Sequence, residues 1–289
     1  MRWLTNIFLL VFLSANVDAA DHGPVFGLGT PTNPAGGWSF NLGLSSRNGN
    51  GGSIQAVQAE ISYGLTANLK LAASAPFGSK ANCSVCVTSG GDPYPRSSVS
   101  LNTPISRDFS GVAWWRVQRK DFAGKRVETT AIGGLLVPGA QLEPGPYRNL
   151  HSGPGYIVGL VTGVASRSQY AWVGTTYQRY AESKEDRRPD LLSYTAVYGY
   201  RPFSWRTDYP RWDWRIFGEL TGERSGSLRR LGEEPAGSKA RTVFFGPSVL
   251  AVYRAIGIEG GIQFPLYRDV GVLYAKERYR FAVNLAYFF

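Results

Sequence analysis

Two cysteines, Cys83 and Cys86, are the only thiols in this chain of 289 residues. Closely spaced thiols can form a disulfide, bind a metal ion or take part in redox chemistry. In a chain exported through an oxidising compartment a disulfide is the default, and here it would staple a long loop. A metal site would need further ligands, and His151 or Asp92 could supply them only if the loops fold together. A redox role would need a βαβ context, which the sequence lacks.

The two histidines, His22 and His151, are the other candidates for catalysis. Outer-membrane phospholipases place a Ser nucleophile and a His base together at the membrane boundary. Here neither histidine lies in a predicted strand, Ser152 directly follows His151, and the side chains of adjacent residues would diverge within a strand. The motif therefore disfavours a lipid hydrolase, which remains an alternative. We predict no catalytic residue, no metal site and no cofactor.

The last twelve residues have the clearest secondary-structure pattern in the chain, and they indicate the fold that would position any functional site. Apolar side chains recur at every second position, which predicts one strand with an apolar face. They are Tyr279, Phe281, Val283, Leu285, Tyr287 and Phe289. This segment resembles the closing strand of bacterial outer-membrane β-barrels, whose final Phe belongs to the signal read by the barrel assembly machinery. The resemblance assigns that signal to Leu285, Tyr287 and Phe289.

The N-terminus has the order of a secretory signal peptide. Arg2 precedes a short apolar run over 4–13, and small residues before Ala20 suit cleavage after Ala19. The run is too short to span a membrane as a helix. Residues 1–19 are therefore predicted to be removed, and residues 20–36, rich in Gly and Pro, form a periplasmic lead-in or plug.

The remainder, 37–289, divides into about twelve strand-like segments of alternating hydrophobicity. The predicted spans are 37–47, 54–63, 66–76, 108–119, 125–137, 154–165, 168–181, 190–202, 210–223, 241–253, 256–266 and 278–289. Every second link is short, at Gly64-Leu65, 121–124, Arg167, around Trp205 and at Ala255. The other links are longer on average: 48–53, 77–107, 138–153, 182–189, 224–240 and 267–277. This alternation indicates an all-β transmembrane up-and-down barrel with short periplasmic turns and long extracellular loops.

Aromatic residues cluster near the short turns, where a membrane-interface belt is expected. The predicted belt contains Trp38, Phe40, Tyr63, Tyr170, Trp172, Tyr198, Tyr200, Trp212, Trp214, Tyr253, Tyr287 and Phe289.

Alternation also predicts which charged side chains face the lumen, since charge on the lipid face is costly. The lumen candidates are Glu60, Lys70, Arg116, Arg201, Arg215, Glu219, Arg254, Glu259 and Arg280. Such a lumen could be a permeation path or a network of ion pairs that fills a narrow barrel. The net charge of +10 would suit nucleic acid in a soluble chain. In an exported barrel it suits a position beside lipopolysaccharide, and no nucleic-acid partner is predicted.

The segment His22-Gly23-Pro24-Val25-Phe26-Gly27-Leu28-Gly29-Thr30-Pro31-Thr32, followed by Gly36-Gly37-Trp38-Ser39-Phe40, is similar to a transporter-like outer-membrane family. Its members are described as meta-pathway phenol-degradation transporters, and some accompany heavy-metal efflux systems. The resemblance implies a barrel in the outer membrane of a Gram-negative bacterium that passes a small hydrophobic, aromatic or anionic solute. The alternative is a structural or adhesion barrel that acts through its extracellular loops.

Overall fold

Twelve antiparallel strands form one closed barrel in the computed structural model. The strands are β1 (Trp38–Gly49), β2 (Gly52–Thr66), β3 (Leu69–Cys83), β4 (Phe109–Phe122), β5 (Lys125–Val137), β6 (Gly155–Ser166), β7 (Gln169–Tyr180), β8 (Leu191–Tyr200), β9 (Asp213–Ser225), β10 (Ala240–Tyr253), β11 (Ile256–Val270) and β12 (Glu277–Phe288). The structure describes residues 23–30, 33–49, 52–83, 108–138, 152–205, 211–271 and 276–289.

The barrel closes where the first strand meets the last. β1 pairs with β2 on one side and with β12 on the other, so that Leu42 lies opposite both Ala59 and Leu285. At the end of this seam Trp38 and Phe289 exchange two backbone hydrogen bonds, of 2.7 and 3.0 Å. Each strand therefore has two hydrogen-bonded neighbours, which satisfies the backbone of a chain surrounded by lipid.

Side chains alternate between the interior and the outer surface. Along β8 the buried residues are Leu191, Ser193, Thr195, Val197 and Gly199, and the residues between them are more exposed. Large apolar side chains cover the outside of the barrel, among them Leu42, Leu44, Ile61, Val283 and Leu285. An apolar exterior around a partly polar interior is the arrangement of a barrel solvated by lipid.

The links divide the barrel into two ends. At the short-turn end, two-residue turns at 67–68, 123–124, 167–168 and 254–255 join successive strands, and Gly124 has the positive φ of 74° that such a turn requires. At the long-loop end most of the links are longer, at 84–108, 138–154, 181–190, 226–239 and 271–276.

All twelve predicted strands are present, and several predicted links need correction, among them 77–107, which begins at 84 because β3 runs to Cys83. Gly64 and Leu65 lie inside β2, because the turn falls at Ala67-Asn68. The link predicted at 48–53 shrinks to 50–51, because β1 and β2 continue pairing as far as Gly49 and Gly52. The link around Trp205 covers 201–212 and contains a 3-10 helix, Phe203–Trp205.

Within the described residues, no helix has the length and apolar character needed to cross a membrane.

Candidate functional site in the barrel interior

Residues 23–30, which we call the inner segment, lie inside the barrel. All eight are buried. The chain leaves this position toward the short-turn end, where Asn33 donates a hydrogen bond of 2.9 Å to the hydroxyl of Ser62. The contacts of the inner segment run from β5 through β7, β8 and β9 to β12, so that the segment crosses the interior.

A single carboxylate holds the middle of the inner segment. Glu219 on β9 accepts backbone N–H groups from Val25, Phe26 and Gly27, at 2.9, 2.7 and 2.6 Å. Ser248 on β10 donates its hydroxyl to the same carboxylate. Glu219 is fully buried. Its carboxylate oxygens accept hydrogen bonds from N–H and O–H groups that would otherwise lack partners in the interior.

A second group of contacts surrounds Thr30. The indole Nε1 of Trp172 donates to the Thr30 hydroxyl at 3.1 Å, and the hydroxyl of Thr130 donates to its carbonyl at 3.1 Å. The Thr30 hydroxyl also lies 3.4 Å from Glu128. Trp172 was predicted to belong to the outer aromatic belt, and this is corrected because its side chain is buried inside the barrel.

Apolar contacts also hold the inner segment in the barrel interior. Leu28 packs in a buried cluster with Val161 and Val197, and Phe26 packs with Ala282. At Gly261 an added β-carbon would lie 2.8 Å from the Phe26 ring, so the glycine makes room for that ring. The wall of the barrel is therefore shaped to hold this stretch of chain.

The wall of the interior has two chemically different sectors. One sector, on β4 to β8, is mostly apolar and contains Val112, Trp114, Ile132, Leu136, Ile157, Val161, Trp172 and Val197. The other, on β1, β2, β11 and β12, is polar and contains Asn41, Ser45, Gln58, Glu60, Ser62, Glu259, Gln263 and Asn284. The apolar sector explains why β7 alternates so weakly in sequence, since both of its faces carry apolar residues.

Four charged side chains form an ion network nearer the long-loop end. Arg280 on β12 contacts Glu223 at 2.7 Å and Glu277 at 2.9 Å. Arg47 on β1 contacts the same two carboxylates, at 3.3 and 3.2 Å. Because β10 and β11 separate β9 from β12, the contacts with Glu223 join strands that are not neighbours.

The loops at the long-loop end fold over the interior. Arg188 from the β7–β8 loop is buried and contacts Asp108 at 2.9 Å, and Tyr180 donates its hydroxyl to the same carboxylate. The β7–β8 and β9–β10 loops are joined by backbone bonds between Arg187 and Arg229. This end of the barrel is thus partly covered by chain.

The structure brings most of the predicted lumen residues into the interior. Glu60, Lys70, Glu219, Glu259 and Arg280 are buried there. Arg116 contacts Glu128 at 3.2 Å. Two others lie at the short-turn mouth, where Arg201 and Arg215 both contact Asp213, at 2.5 and 3.0 Å. Arg254 is not brought to this group, since it is exposed in the β10–β11 turn beside the ring of Tyr253.

Sequence reasoning missed Arg47 and Glu277. Arg47 has the same parity as the buried Ser45, so the alternation of β1 could have revealed it. Glu277 lies at a strand end, next to a register shift at Asn48 and Gly49, where parity gives no guidance.

Several predictions fall on residues outside the described ranges. Cys83 ends β3, whereas Cys86 lies outside them, and so do His22 and His151. The disulfide and the hydrolase alternative therefore stay predictions. At the C-terminus the Phe289 ring lies 6.4 Å from the Trp38 ring and 5.7 Å from the Tyr287 ring, and Leu285 is exposed on the outer face.

The fold is that of known outer-membrane barrels. The structure resembles the COG4313 outer membrane channel from Pseudomonas putida F1, with a TM-score of 0.61 and 14% identity, over 93% of this chain and 99% of that one. Less similar are the NanC porin (TM-score 0.48, 8% identity, 85% and 98% of the two chains) and the KdgM porin (0.42, 12%, 86% and 98%). No family model and no curated protein sequence matches the chain.

Two different structures therefore lie within this transmembrane barrel. The inner segment is a stretch of backbone, held by hydrogen bonds and apolar packing. The ion network is made of side chains that are fixed to the wall.

Proposed function

We propose that this protein is an outer-membrane channel of a Gram-negative bacterium, and that the inner segment closes its passage to a small solute. The observation that carries the proposal is the position of residues 23–30, which cross the interior and are held there by Glu219. In this proposal the leader is cleaved after Ala19, and the closing strand with Phe289 serves as the assembly signal.

In this proposal the inner segment leaves without disturbing the barrel. Its described contacts with the wall are hydrogen bonds and apolar packing, and none belongs to a strand ladder. The chain is attached to the short-turn end, where Gly36 donates to Gly64 at 2.7 Å and Trp38 pairs with Phe289. Movement about that attachment would open the interior while all twelve strands stay paired.

The two sectors of the wall suggest the class of solute. A passage with one apolar side and one polar side favours a small molecule that has an apolar face and polar groups. Such a molecule could exchange its water for hydrogen bonds on the polar side and for apolar contact on the other.

A reversible covalent lock tests the proposal. A β-carbon at Gly27 would overlap Cγ2 of Val197, so cysteines at these two positions are close enough for a disulfide. The double variant Gly27→Cys/Val197→Cys would be made with Cys83 and Cys86 changed to Ser, and its conductance measured in planar bilayers. We expect low conductance when the lock is oxidised and a several-fold increase after reduction.

The double variant Gly27→Cys/Val197→Ser in the same background is the control, because it removes the same Cγ2 atom of Val197 and cannot form the lock. A dense interior also favours a second candidate, a structural barrel that acts through its loops. That candidate predicts equally low conductance in the reduced and oxidised proteins and no solute uptake by reconstituted vesicles. Such a result, with a folded barrel verified by its resistance to detergent, would overturn the channel.

A further inference from the structure

A shallow apolar groove lies on the outer face of the barrel, away from the interior. Its volume is about 520 Å³, within the range of ligand pockets. Outward-facing residues of β6 to β10 line it, including Thr162, Val173, Ala196, Gly218, Leu220 and Phe245. The groove arises because several of these side chains are small, so the wall is indented between larger neighbours.

Two arginines face outward above this groove, toward the long-loop end. Arg224 on β9 and Arg241 on β10 lie directly opposite each other, and both are exposed. Like charges at directly opposed positions of an antiparallel pair repel each other. Neither guanidinium forms an ion pair within the part of the chain that the structure describes, although Asp269 is the register neighbour of Arg241 on β11. An anion between the two arginines would relieve the repulsion.

The position of the pair fits the boundary of a membrane. Ten positions along β9 separate Arg224 from Trp214 in the aromatic belt at the short-turn end. At a rise of about 3.3 Å per residue the two are about 33 Å apart along the strand. With a strand tilt of about 40° this gives about 25 Å across the membrane, the height of the apolar band of such barrels. The arginines are therefore at the level of the headgroups on the side of the long loops, which is the outer leaflet.

Between the groove and the arginines lies Tyr194 of β8. Its ring covers Gly222, where an added β-carbon would overlap the ring atoms. Gly222 is two residues below Arg224 and two above Leu220 of the groove. The outer face therefore presents, in order, an apolar groove, an amphipathic ring and two cations. A phosphorylated lipid has the matching order of an apolar acyl chain, a polar region and an anionic phosphate.

We propose that Arg224, Arg241 and the groove form a binding site for lipid A, the phosphorylated lipid of lipopolysaccharide. One acyl chain lies in the groove, and a phosphate contacts both guanidinium groups. Arginine suits this role, because its planar fork makes paired hydrogen bonds to phosphate oxygens. The inference is independent of the proposed channel, since the site lies on the lipid face.

Binding of lipid A to the purified, full-length mature protein in detergent tests the site. Native mass spectrometry would count the bound lipid for lipid A and for dephosphorylated lipid A. We expect the wild type to prefer the phosphorylated form by about tenfold or more, from hydrogen bonds to charged groups. In Arg224→Gln/Arg241→Gln that preference is lost. The matched control is Arg167→Gln/Arg211→Gln, which removes two exposed arginines from the short-turn end.

A second variant tests the groove without changing the charge. In Gly218→Leu the new β-carbon would lie 3.6 Å from the Phe245 ring, an ordinary contact, and the longer side chain would fill the indentation. We expect weaker binding of both lipids, with the preference for phosphate retained. Equal binding of the two lipids by the wild type, an unchanged preference in the arginine variant, or undiminished binding by Gly218→Leu would overturn the proposal.

Discussion

The interior is crossed by two structures that differ in what holds them. The inner segment is uncharged backbone fixed by the carboxylate of Glu219, and its neighbours along the chain continue to the short-turn end. The ion network of Arg47, Glu223, Glu277 and Arg280 is made of side chains whose backbones are already paired in strands. In the proposed channel the first leaves the lumen as one piece, whereas the second can only rearrange.

This difference separates stability from gating. Removing one side chain of the ion network leaves a partner charge buried on a strand that stays in place. Breaking the anchor of the inner segment allows its N–H groups to reach water when the segment moves out. The network should therefore contribute mainly to the free energy of unfolding, and the inner segment mainly to the closed state of the proposed channel.

The largest effect is expected for Arg280→Ala. The change leaves Glu223 and Glu277 with only Arg47 as a partner in the network, so two carboxylates share one cation in a buried site. Removing one member of a buried ion pair costs about 3–5 kcal/mol. Urea unfolding in detergent micelles would measure this loss in the free energy of unfolding.

A compensated variant makes this test specific. Arg280→Met combined with Glu223→Gln removes one charge of each sign, leaves the Arg47–Glu277 pair at 3.2 Å in place, and should recover much of the lost stability. The idea that the network is a fixed part of the wall fails if Arg280→Ala unfolds at the same urea concentration as the wild type.

Glu219→Leu should have the next largest effect, and a different one. Three backbone N–H groups lose their acceptor while the inner segment is docked, which costs the docked state about 3 kcal/mol or more. The open population then rises by about 100-fold, while the barrel still unfolds near the wild-type urea concentration. Single-channel conductance and proteolysis of the segment after Phe26 would both report it.

Glu60→Gln is the matched control for that experiment. Glu60 is a buried carboxylate whose side chain accepts from Asn41, 3.5 Å away, on the polar sector. Its change should leave proteolysis of the inner segment as in the wild type. Equal exposure of the segment in the two variants would mean that Glu219 is not its particular anchor.

The wall of the barrel could be predicted from the sequence far better than its contents. β5 was expected at 125–137 and is Lys125–Val137, because lipid on one side imposes strict alternation. Glu219 was expected inside for the same reason. That Glu219 binds Gly27, 192 positions away, could not be predicted, because a segment rich in Gly and Pro has no period that selects a partner. The prediction for Trp172 was wrong because aromatic residues occur both in a membrane-interface belt and in an apolar interior.

Trp172→Phe tests the contacts around Thr30. We expect it to cost the docked state of the inner segment about 1 kcal/mol. The substitution keeps an aromatic ring against the apolar sector, removes the Nε1–H that Thr30 accepts, and makes the ring system smaller. A fivefold rise in the open population is expected, on the order of what 1 kcal/mol gives. Trp114→Phe is the control, since the indole nitrogen of Trp114 has no hydrogen-bond partner among the described residues. An identical conductance change in both variants would mean that ring size, and not the bond, matters.

The smallest effect is expected for Thr195→Val, which decides whether the closed state rests on one anchor or on many. The N–H of Leu28 donates to the Thr195 hydroxyl at 3.3 Å, beyond the usual 2.7–3.2 Å, so the bond is weak. Valine keeps the shape of the side chain, and we expect a loss of about 0.5 kcal/mol and about a twofold change in open population. If conductance instead rises as far as in Glu219→Leu, the anchoring is distributed along the segment. The segment would then detach progressively from one end. The inner segment would then differ from the ion network in the number of its contacts, and not in its dependence on one carboxylate.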